Sequence, residues 1–265
     1  MKKVLLGLLA STTIFSFSFS DTLILTKKGK STYIQQEEFV LTKGNNIIGP
    51  IYLQPIAETG GLNIFGKGLT LEGYIIENEG NSWQEKLKGK QVSIEGEGRI
   101  IKGKLINIKN GFVELNSKQG FTITTLPKFP SRLRVKETWE KVFAPRITLK
   151  IKSNTEGSNI INISYPVKNL NWNVHYVLKD NILEQYVVFI NKTPLAFDNV
   201  DIELVDNSKV WKRIKGILIP PFTEKRVRIF SKSLDSVNIK SLPKGKVVVY
   251  KKNIFKGYKK LDEIK

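Results

Sequence analysis

The sequence predicts an all-β protein, built as an antiparallel β-sandwich with an inserted small SH3-like β-barrel and one short helix. Apolar and polar residues alternate with period two along most of the chain, which is the pattern of half-buried strands. Turn-forming Gly, Asn, Asp and Pro residues separate these runs at short intervals. Long stretches with the apolar spacing of an amphipathic helix are absent from the sequence.

The amino-acid composition alone excludes several kinds of catalytic and metal-binding site. The 265 residues are 40% hydrophobic and 25% charged, with a mean hydropathy of −0.19, which is ordinary for a folded globular chain. The sequence has no cysteine, so disulfides, thiol nucleophiles and zinc-thiolate or iron–sulfur sites are excluded. A single histidine, His175, excludes mechanisms that need two imidazoles.

Residues 1–20 have the three parts of a secretory signal peptide. Lys2 and Lys3 form the positive start, an apolar run follows, and the small residues Ser18 and Ser20 precede a cleavage position before Asp21. An uncleaved anchor is the alternative, but hydroxyl residues interrupt the apolar run. No later segment approaches about 18 consecutive apolar residues. We therefore expect an extracytoplasmic chain, periplasmic or secreted, without an integral membrane span after signal removal.

Residues 21–80 are predicted to form N-terminal β-strands. The strand-like runs are TLILT, TYIQQEEFVLT and NIIGPIYL, with a break at Lys43–Asn46. The segment LNIFGKGLTLEGYII alternates on both sides of Gly66–Gly68, which predicts a hairpin that turns there.

Residues 81–135 are predicted to form the short helix and the small barrel. The helix covers Ser82–Leu87, with Asn81 or Ser82 as its N-cap. Short strands follow between residues 89 and 126, and Asn110-Gly111 is a strong two-residue hairpin signal. Aromatic residues do not interleave with the lysines here, so a scaffold role is favoured over a ligand site.

Residues 136–265 are predicted to form the C-terminal β-sandwich, as eight strands starting at about Trp139. In the strand NVHYVLKD, the face with Val174, Tyr176 and Leu178 buries more apolar surface than the face with His175. Trp172 and Tyr176 are four residues apart on this strand, so they share a face. We expect both to be core aromatics rather than a ligand platform.

The strongly positive charge invites a nucleic-acid interpretation. The formal net charge is +19, or +17 without Lys2 and Lys3. The predicted export and the spread of the lysines along strand-like runs make nucleic acid an unlikely partner, and solvated outer faces explain most of the charge. The densest basic stretches are Trp211–Lys215, Lys225–Arg228 and Lys251–Lys260. Binding of an anionic envelope polymer would be tested there first.

The block Ser164–Val205 resembles a family of uncharacterised exported bacterial proteins, the domain-of-unknown-function family numbered 4139, related to mucoidy-inhibitor-like proteins. The resemblance rests on these elements: Tyr165, Trp172-x-x-x-Tyr176, Asn191-x-Thr193, Phe197-x-Asn199-Val200-x-Ile202-x-Leu204, Leu41–Gly44, Gly89-Lys90-x-Val92, Gly103-x-Leu105, Gly111–Leu115 and Leu242-Pro243-x-Gly245. It implies an exported β-sandwich with an inserted small β module, acting at the cell envelope. The family supplies no established activity and no catalytic residues.

Candidates for catalysis are few. Asp198, Asp201, Glu203 and Asp206 form an acidic cluster, and Asp201 and Glu203 share a strand face, where they could flank a substrate or hold calcium. A solvated outer face is the favoured interpretation. His175 could act as a base, but no Gly-x-Ser-x-Gly turn supplies a nucleophile.

The sequence thus favours a non-enzymatic cell-envelope binding or structural module, with an envelope protein or anionic polysaccharide as partner. The alternative is a carbohydrate-active or peptidoglycan-directed hydrolase that uses the Asp198–Asp206 cluster. We assign no catalytic, cofactor-binding or metal-binding residue and expect no cofactor.

Overall fold

A computed structural model describes residues 20–77, 82–96 and 98–264. Strands account for 65% of the chain and helices for 9%, in four sheets that are mostly antiparallel. The prediction of an all-β protein is confirmed. Residues 1–19, most of the predicted signal peptide, lie outside the described residues. Within the described ranges, no helix is long and apolar enough to span a membrane.

The described residues form two helices and nineteen strands. The helices are α1 (Trp83–Leu87) and α2 (Trp139–Phe143). The strands are β1 (Thr22–Thr26), β2 (Ser31–Leu41), β3 (Gly44–Tyr52), β4 (Asn63–Phe65), β5 (Leu69–Glu77), β6 (Gln91–Gly96), β7 (Arg99–Lys109), β8 (Phe112–Ser117), β9 (Gly120–Thr125), β10 (Arg132–Val135), β11 (Arg146–Ser153), β12 (Gly157–Val167), β13 (Leu170–Lys179), β14 (Ile182–Asn191), β15 (Phe197–Asp206), β16 (Lys209–Ile219), β17 (Thr223–Ser233), β18 (Lys246–Lys251) and β19 (Ile254–Lys260).

Hydrogen bonding groups these strands into four sheets. Sheet 1 has the order β16-β15-β1-β2-β12-β4, and sheet 2 has the order β3-β11-β5. Sheet 3 has the order β10-β6-β7-β8-β9, and sheet 4 has the order β17-β14-β13-β18-β19. The pairs β1–β15 and β13–β18 are parallel. Strands from the N-terminal and C-terminal thirds of the chain therefore share sheet 1, while sheet 2 joins two N-terminal strands to β11 from the middle third.

Sheets 1, 2 and 4 contribute to one large hydrophobic core. Its largest fully buried side chains include Trp172, Tyr165, Tyr176 and Phe189. Along β13, Val174, Tyr176 and Leu178 are all buried, so the core face that the sequence favoured for this strand is confirmed. Burial of each such apolar side chain stabilises the fold by about 1.5–3 kcal/mol.

Sheet 3 has a separate small core. Leu105, Val113 and Leu115 of the sheet pack with Leu87 of α1 and Val142 of α2. In the part of the chain described, the edge strands β9 and β10 are not paired with each other. The predicted closed small barrel is therefore not found, because two helices cover the apolar face of an open sheet.

In the unit formed by sheet 3, α1 and α2, the hairpin turn and the helix start that the sequence predicted are both confirmed. Asn110 and Gly111 have φ values of 52° and 78° and join β7 to β8, as the hairpin signal predicted. Helix α1 starts at a capping box in which Ser82 accepts from the backbone N–H of Glu85. Asn81, the other candidate N-cap, lies outside the described residues.

Two other predictions were wrong. Trp139, expected at the start of the C-terminal strands, begins helix α2. Its position at the edge of the small core favours one helical turn, which seats Val142 in that core. The expected hairpin around Gly66–Gly68 has the turn but not the pairing, because β4 pairs with β12 and β5 pairs with β11.

Candidate functional site

The outer face of sheet 4 forms a cleft of about 770 Å³ to which all five of its strands contribute. We call this surface the concave face. Its lining residues are His175, Val177, Lys179, Glu184, Tyr186, Arg226, Lys246, Val248, Tyr250, Phe255 and Tyr258. It combines cations, aromatic rings and a small apolar floor, so charged and apolar groups converge on one face of the sheet.

Strand alternation and register bring these residues together. Successive β13 side chains point to opposite faces, so burying Tyr176 and Leu178 turns His175 outward. Tyr186 of β14 and Lys246 of β18 pair with His175 on either side, and Arg228 of β17 pairs with Tyr186. Neighbouring strands are about 4.8 Å apart. Four polar or charged side chains therefore cross the sheet in one row.

The floor and one wall of the cleft are apolar. Val177 pairs with Val248, and Val248 pairs with Tyr258 on the edge strand. Phe255 makes edge contacts with Tyr250 at 6.0 Å and with Tyr258 at 5.2 Å between ring centroids. Phe255 is 50% exposed and Tyr258 is 60% exposed. These rings form an accessible aromatic wall.

Two further cations line the cleft, one on each side of the β13–β14 pair. They are Arg226 and Lys246, and neither cation forms an ion pair with any residue of the described ranges. The Lys246 ammonium lies 3.4 Å from the centroid of the Tyr258 ring, a cation–π contact. Burial, together with Arg226 and Lys246, lowers the pKa of His175, so the imidazole is neutral at pH 7 in the free protein.

Glu184 also lines the cleft and is only 7% exposed. Its carboxylate accepts a hydrogen bond of 2.9 Å from the Tyr186 hydroxyl and faces Lys179 and Arg228, each at 3.5 Å. Burial alone would raise the pKa of Glu184, but Tyr186, Lys179 and Arg228 outweigh it and the pKa falls below its usual value. Burial and Glu184 raise the pKa of Tyr186, so its hydroxyl stays protonated and keeps donating to Glu184.

Buried residues behind β13 hold the strand that carries Lys246. The Tyr176 hydroxyl donates to the Pro243 carbonyl at 2.8 Å and accepts from the Gln185 amide at 2.8 Å. A Cβ on Gly245 would lie 2.6 Å from Val174 Cγ1 and 2.9 Å from Tyr176 Cε2. The chain thus approaches β13 closely immediately before Lys246, which places that cation beside His175.

Trp172 and Tyr176 are core residues, as predicted. Trp172 is 1% exposed and Tyr176 is 0% exposed, so neither can serve as a ligand platform. Trp172 stacks on Trp211 with ring centroids 5.3 Å apart and donates to the Val205 carbonyl. The aromatic residues that line the concave face belong to β14, β18 and β19 instead.

The acidic cluster lies on β15 in sheet 1, away from the concave face. Asp201 and Glu203 share a face, as expected, but Asp201 pairs with Lys215 at 3.0 Å and Glu203 pairs with Arg213 at 2.7 Å. Asp206 pairs with a third cation, on the turn after β1. Among the residues that the structure describes, no group of three or more His, Asp or Glu side chains could hold a metal ion.

Two of the three basic stretches singled out in the sequence meet at the concave face. Lys225–Arg228 lies on β17 and Lys251–Lys260 covers β19, while Trp211–Lys215 lies on β16 in sheet 1. Lys251–Lys260 was predicted as a basic stretch from its lysines, without Phe255 and Tyr258, which lie between them. The interleaved pattern YKKNIFKGYKK was the available signal.

Comparisons of the chain with protein-family models, with curated proteins and with solved structures find no match. The resemblance to the uncharacterised exported family stays a prediction, and the candidate site rests on its geometry and charge.

Proposed function

We propose that this chain is an exported, non-enzymatic binding module of the cell envelope, and that the concave face holds an anionic ligand. One observation carries the proposal. Arg226 and Lys246 line the cleft that contains His175 and have no carboxylate partner in the described ranges, while Asp201 and Glu203 of sheet 1 are each paired with a cation. The cleft therefore holds two cations that no carboxylate of the described residues neutralises.

An anion in this position would be favoured for two reasons. It would compensate the charge of a cation that has no carboxylate partner. It would also receive charge-assisted hydrogen bonds, which are about twice as strong as neutral ones. The aromatic wall next to the cations adds apolar contact area, which binding sites use together with a few convergent polar groups.

The proposed place in the cell and the finer architecture follow the sequence analysis. The signal-like residues 1–20 support export, and the resemblance to family 4139 supports an envelope role. The single core shared by sheets 1, 2 and 4 supports a β-sandwich to which the unit with sheet 3 is appended as a scaffold. An envelope protein could also pair with an open sheet edge, but the concave face favours an anionic polymer.

A hydrolase that uses the Asp198–Asp206 cluster is the second candidate. Asp201 and Glu203 do share a face of β15, but each faces a cation from β16, and the cluster is not part of the concave face. The test is release of soluble fragments from peptidoglycan. Release that disappears in Asp201→Asn/Glu203→Gln would favour the hydrolase over the binding module.

The binding role is tested by retention on immobilised dextran sulfate, with unmodified dextran as the neutral polymer. The variant Arg226→Gln/Lys246→Gln should elute at clearly lower salt than the parent. A matched variant, Arg99→Gln/Lys102→Gln, removes the same charge from sheet 3. Elution of both variants at the same salt would show that overall charge, and not the concave face, binds the polymer.

A further inference from the structure

We propose that the protein self-associates through β9, whose free edge pairs antiparallel with β9 of a second copy. An edge strand presents main-chain N–H and C=O groups with which another strand can pair. β9 (Gly120–Thr125) is such an edge of sheet 3, and within the described part of the chain it pairs with β8 alone. The proposal is independent of the concave face, which lies on sheet 4.

β9 lacks the features by which edge strands usually avoid pairing with other chains. Charged side chains and proline are two common ones, and its sequence, GFTITT, contains neither. Among the other edge strands of the described residues, β5, β10, β16, β17 and β19 contain charged residues, β3 contains Pro50, and β4 has three residues. β9 is therefore the edge best suited to pairing with another strand.

The solvent-facing side of β9 is also apolar. Phe121 is 64% exposed and Ile123 is 58% exposed. Thr122, between them, lies opposite Leu115 of the small core, so strand alternation turns Phe121 and Ile123 to the outer face of the sheet. Covering such side chains with another strand is favourable, because it removes apolar surface from water.

The hydrogen bond that follows β9 identifies its free main-chain groups. The Leu126 N–H donates to the Gly111 carbonyl across the β8–β9 pair at 2.7 Å. The main-chain groups of successive residues in a strand point to opposite sides, so those of Phe121, Ile123 and Thr125 point away from β8. These three residues offer both their N–H and their C=O groups to a neighbouring strand.

One register satisfies all three residues at once. In an antiparallel pair, hydrogen-bonded residues lie directly opposite each other and exchange two bonds. With the two-fold axis at Ile123, this residue lies opposite the partner's Ile123, and Phe121 lies opposite the partner's Thr125. The pairing gives about six main-chain bonds and a β-branched pair on the outer face, with no charge inside the paired segment. The strand is therefore complementary to itself.

Electrostatics favours β9 over the other edges for contact between two copies. The chain has a formal net charge of +19, so copies of it repel each other. Self-pairing of β10, β17 or β19 would bring further like charges together at the contact, whereas β9 adds none. Because about five residue pairs make a small interface, the dimer should be weak, and screening by salt should strengthen it.

Sedimentation velocity of the purified protein, from about 5 µM to about 500 µM and at low and high salt, measures self-association. The parent should form dimers as its concentration rises, and more of them at high salt. Ile123→Lys should weaken dimerisation at least about tenfold, because it places like charges directly opposite each other. The matched control Ile100→Lys should dimerise as the parent does. Ile100 is 62% exposed on β7 and, like Ile123, lies opposite a glutamate of a neighbouring strand.

A proline variant separates main-chain pairing from apolar contact. Thr125→Pro removes an N–H that points away from β8, so the hydrogen bonds inside sheet 3 are kept while the dimer loses one bond at each end. It should weaken dimerisation by about tenfold. Dimerisation that is lost in Ile123→Lys but unchanged in Thr125→Pro would mean apolar contact without strand pairing, and would overturn the proposal. Circular dichroism of each variant checks that its β structure is retained.

The absence of cysteine from the sequence allows a test of the register. Under mild oxidation Ile123→Cys should form a disulfide-linked dimer, because the two-fold axis brings the two copies of this position to about 5.5 Å between Cα atoms. Phe121→Cys should not, since its two copies lie four residues apart along the pair, about 13 Å. Equal crosslinking of both variants, or a parent that stays monomeric over the whole concentration range, would overturn the proposal.

Discussion

Tyr176→Phe removes one hydroxyl from the interior of the main core and should destabilise the protein. Tyr176 is 0% exposed and Gln185 is 1% exposed. The lost oxygen is the donor to the Pro243 carbonyl and the acceptor for the Gln185 amide. Each buried polar group left without a partner costs about 1–3 kcal/mol. We therefore expect the free energy of unfolding to fall by about 2–4 kcal/mol.

Urea-induced unfolding, followed by the fluorescence of the four tryptophans, measures this loss. Tyr258→Phe, which removes an exposed hydroxyl from the edge strand β19, is the matched control and should change stability by less than about 0.5 kcal/mol. Equal stabilities of the two variants would refute the reasoning, because they would mean that water replaces the Tyr176 hydroxyl in the core.

A double-mutant cycle separates the two hydrogen bonds of Tyr176. Gln185→Met keeps the shape of the side chain and removes the amide that Tyr176→Phe strands. The double variant should therefore lose about 1 kcal/mol less than the sum of the two single losses. Additive losses would show that the Gln185 amide finds another partner when the hydroxyl is removed.

Three further predictions concern other parts of the molecule. Because the folded state lowers the pKa of His175, the unfolded state binds this proton first, and stability should fall as pH drops below about 6.5; His175→Gln should flatten urea-measured stability in that range. Gly245→Ala should cost about 1–3 kcal/mol in thermal unfolding, because the added Cβ overpacks Val174 and Tyr176. Glu203→Gln should change stability by less than about 1 kcal/mol, since its partner Arg213 is exposed.

Each of these three predictions would be contradicted by a specific result. His175 is the one histidine of the sequence. A His175→Gln variant whose stability keeps the parent's pH dependence near neutrality would show that a titratable group of another kind causes it. A Gly245→Ala variant as stable as the parent would show that β18 can shift away from β13. A large loss in Glu203→Gln would give the acidic cluster a structural importance that exposed ion pairs do not have.

Local sequence signals predicted much of the secondary structure. Asn110-Gly111 and the capping box at Ser82 act over a few residues, so their turn and helix start follow from short-range chemistry. Strand pairing depends on distant partners. Nothing near Gly66–Gly68 indicates that β4 and β5 enter different sheets, and this is why the expected hairpin was wrong.

The concave face could be predicted only in parts. The alternation of β13 places His175 outward once Tyr176 is assigned to the core, and the basic stretches were visible in the sequence. Their convergence depends on β17 and β18 lying on opposite sides of the β13–β14 pair, and a single sequence does not reveal strand order. The interleaved aromatics Phe255 and Tyr258 were visible, but an exposed edge strand is what makes them accessible.

The position of β1 has a consequence for how the molecule reaches its native state. β1 lies between β2 and β15 in sheet 1, and its Leu23 and Leu25 are fully buried. Synthesis proceeds from the amino terminus, so β1 leaves the ribosome early while its parallel neighbour β15 leaves it late. Closing that pair requires a long-range contact, which slows folding. Sheet 1 therefore cannot be completed until β15 has been synthesised, although its central strand β1 is among the first segments made.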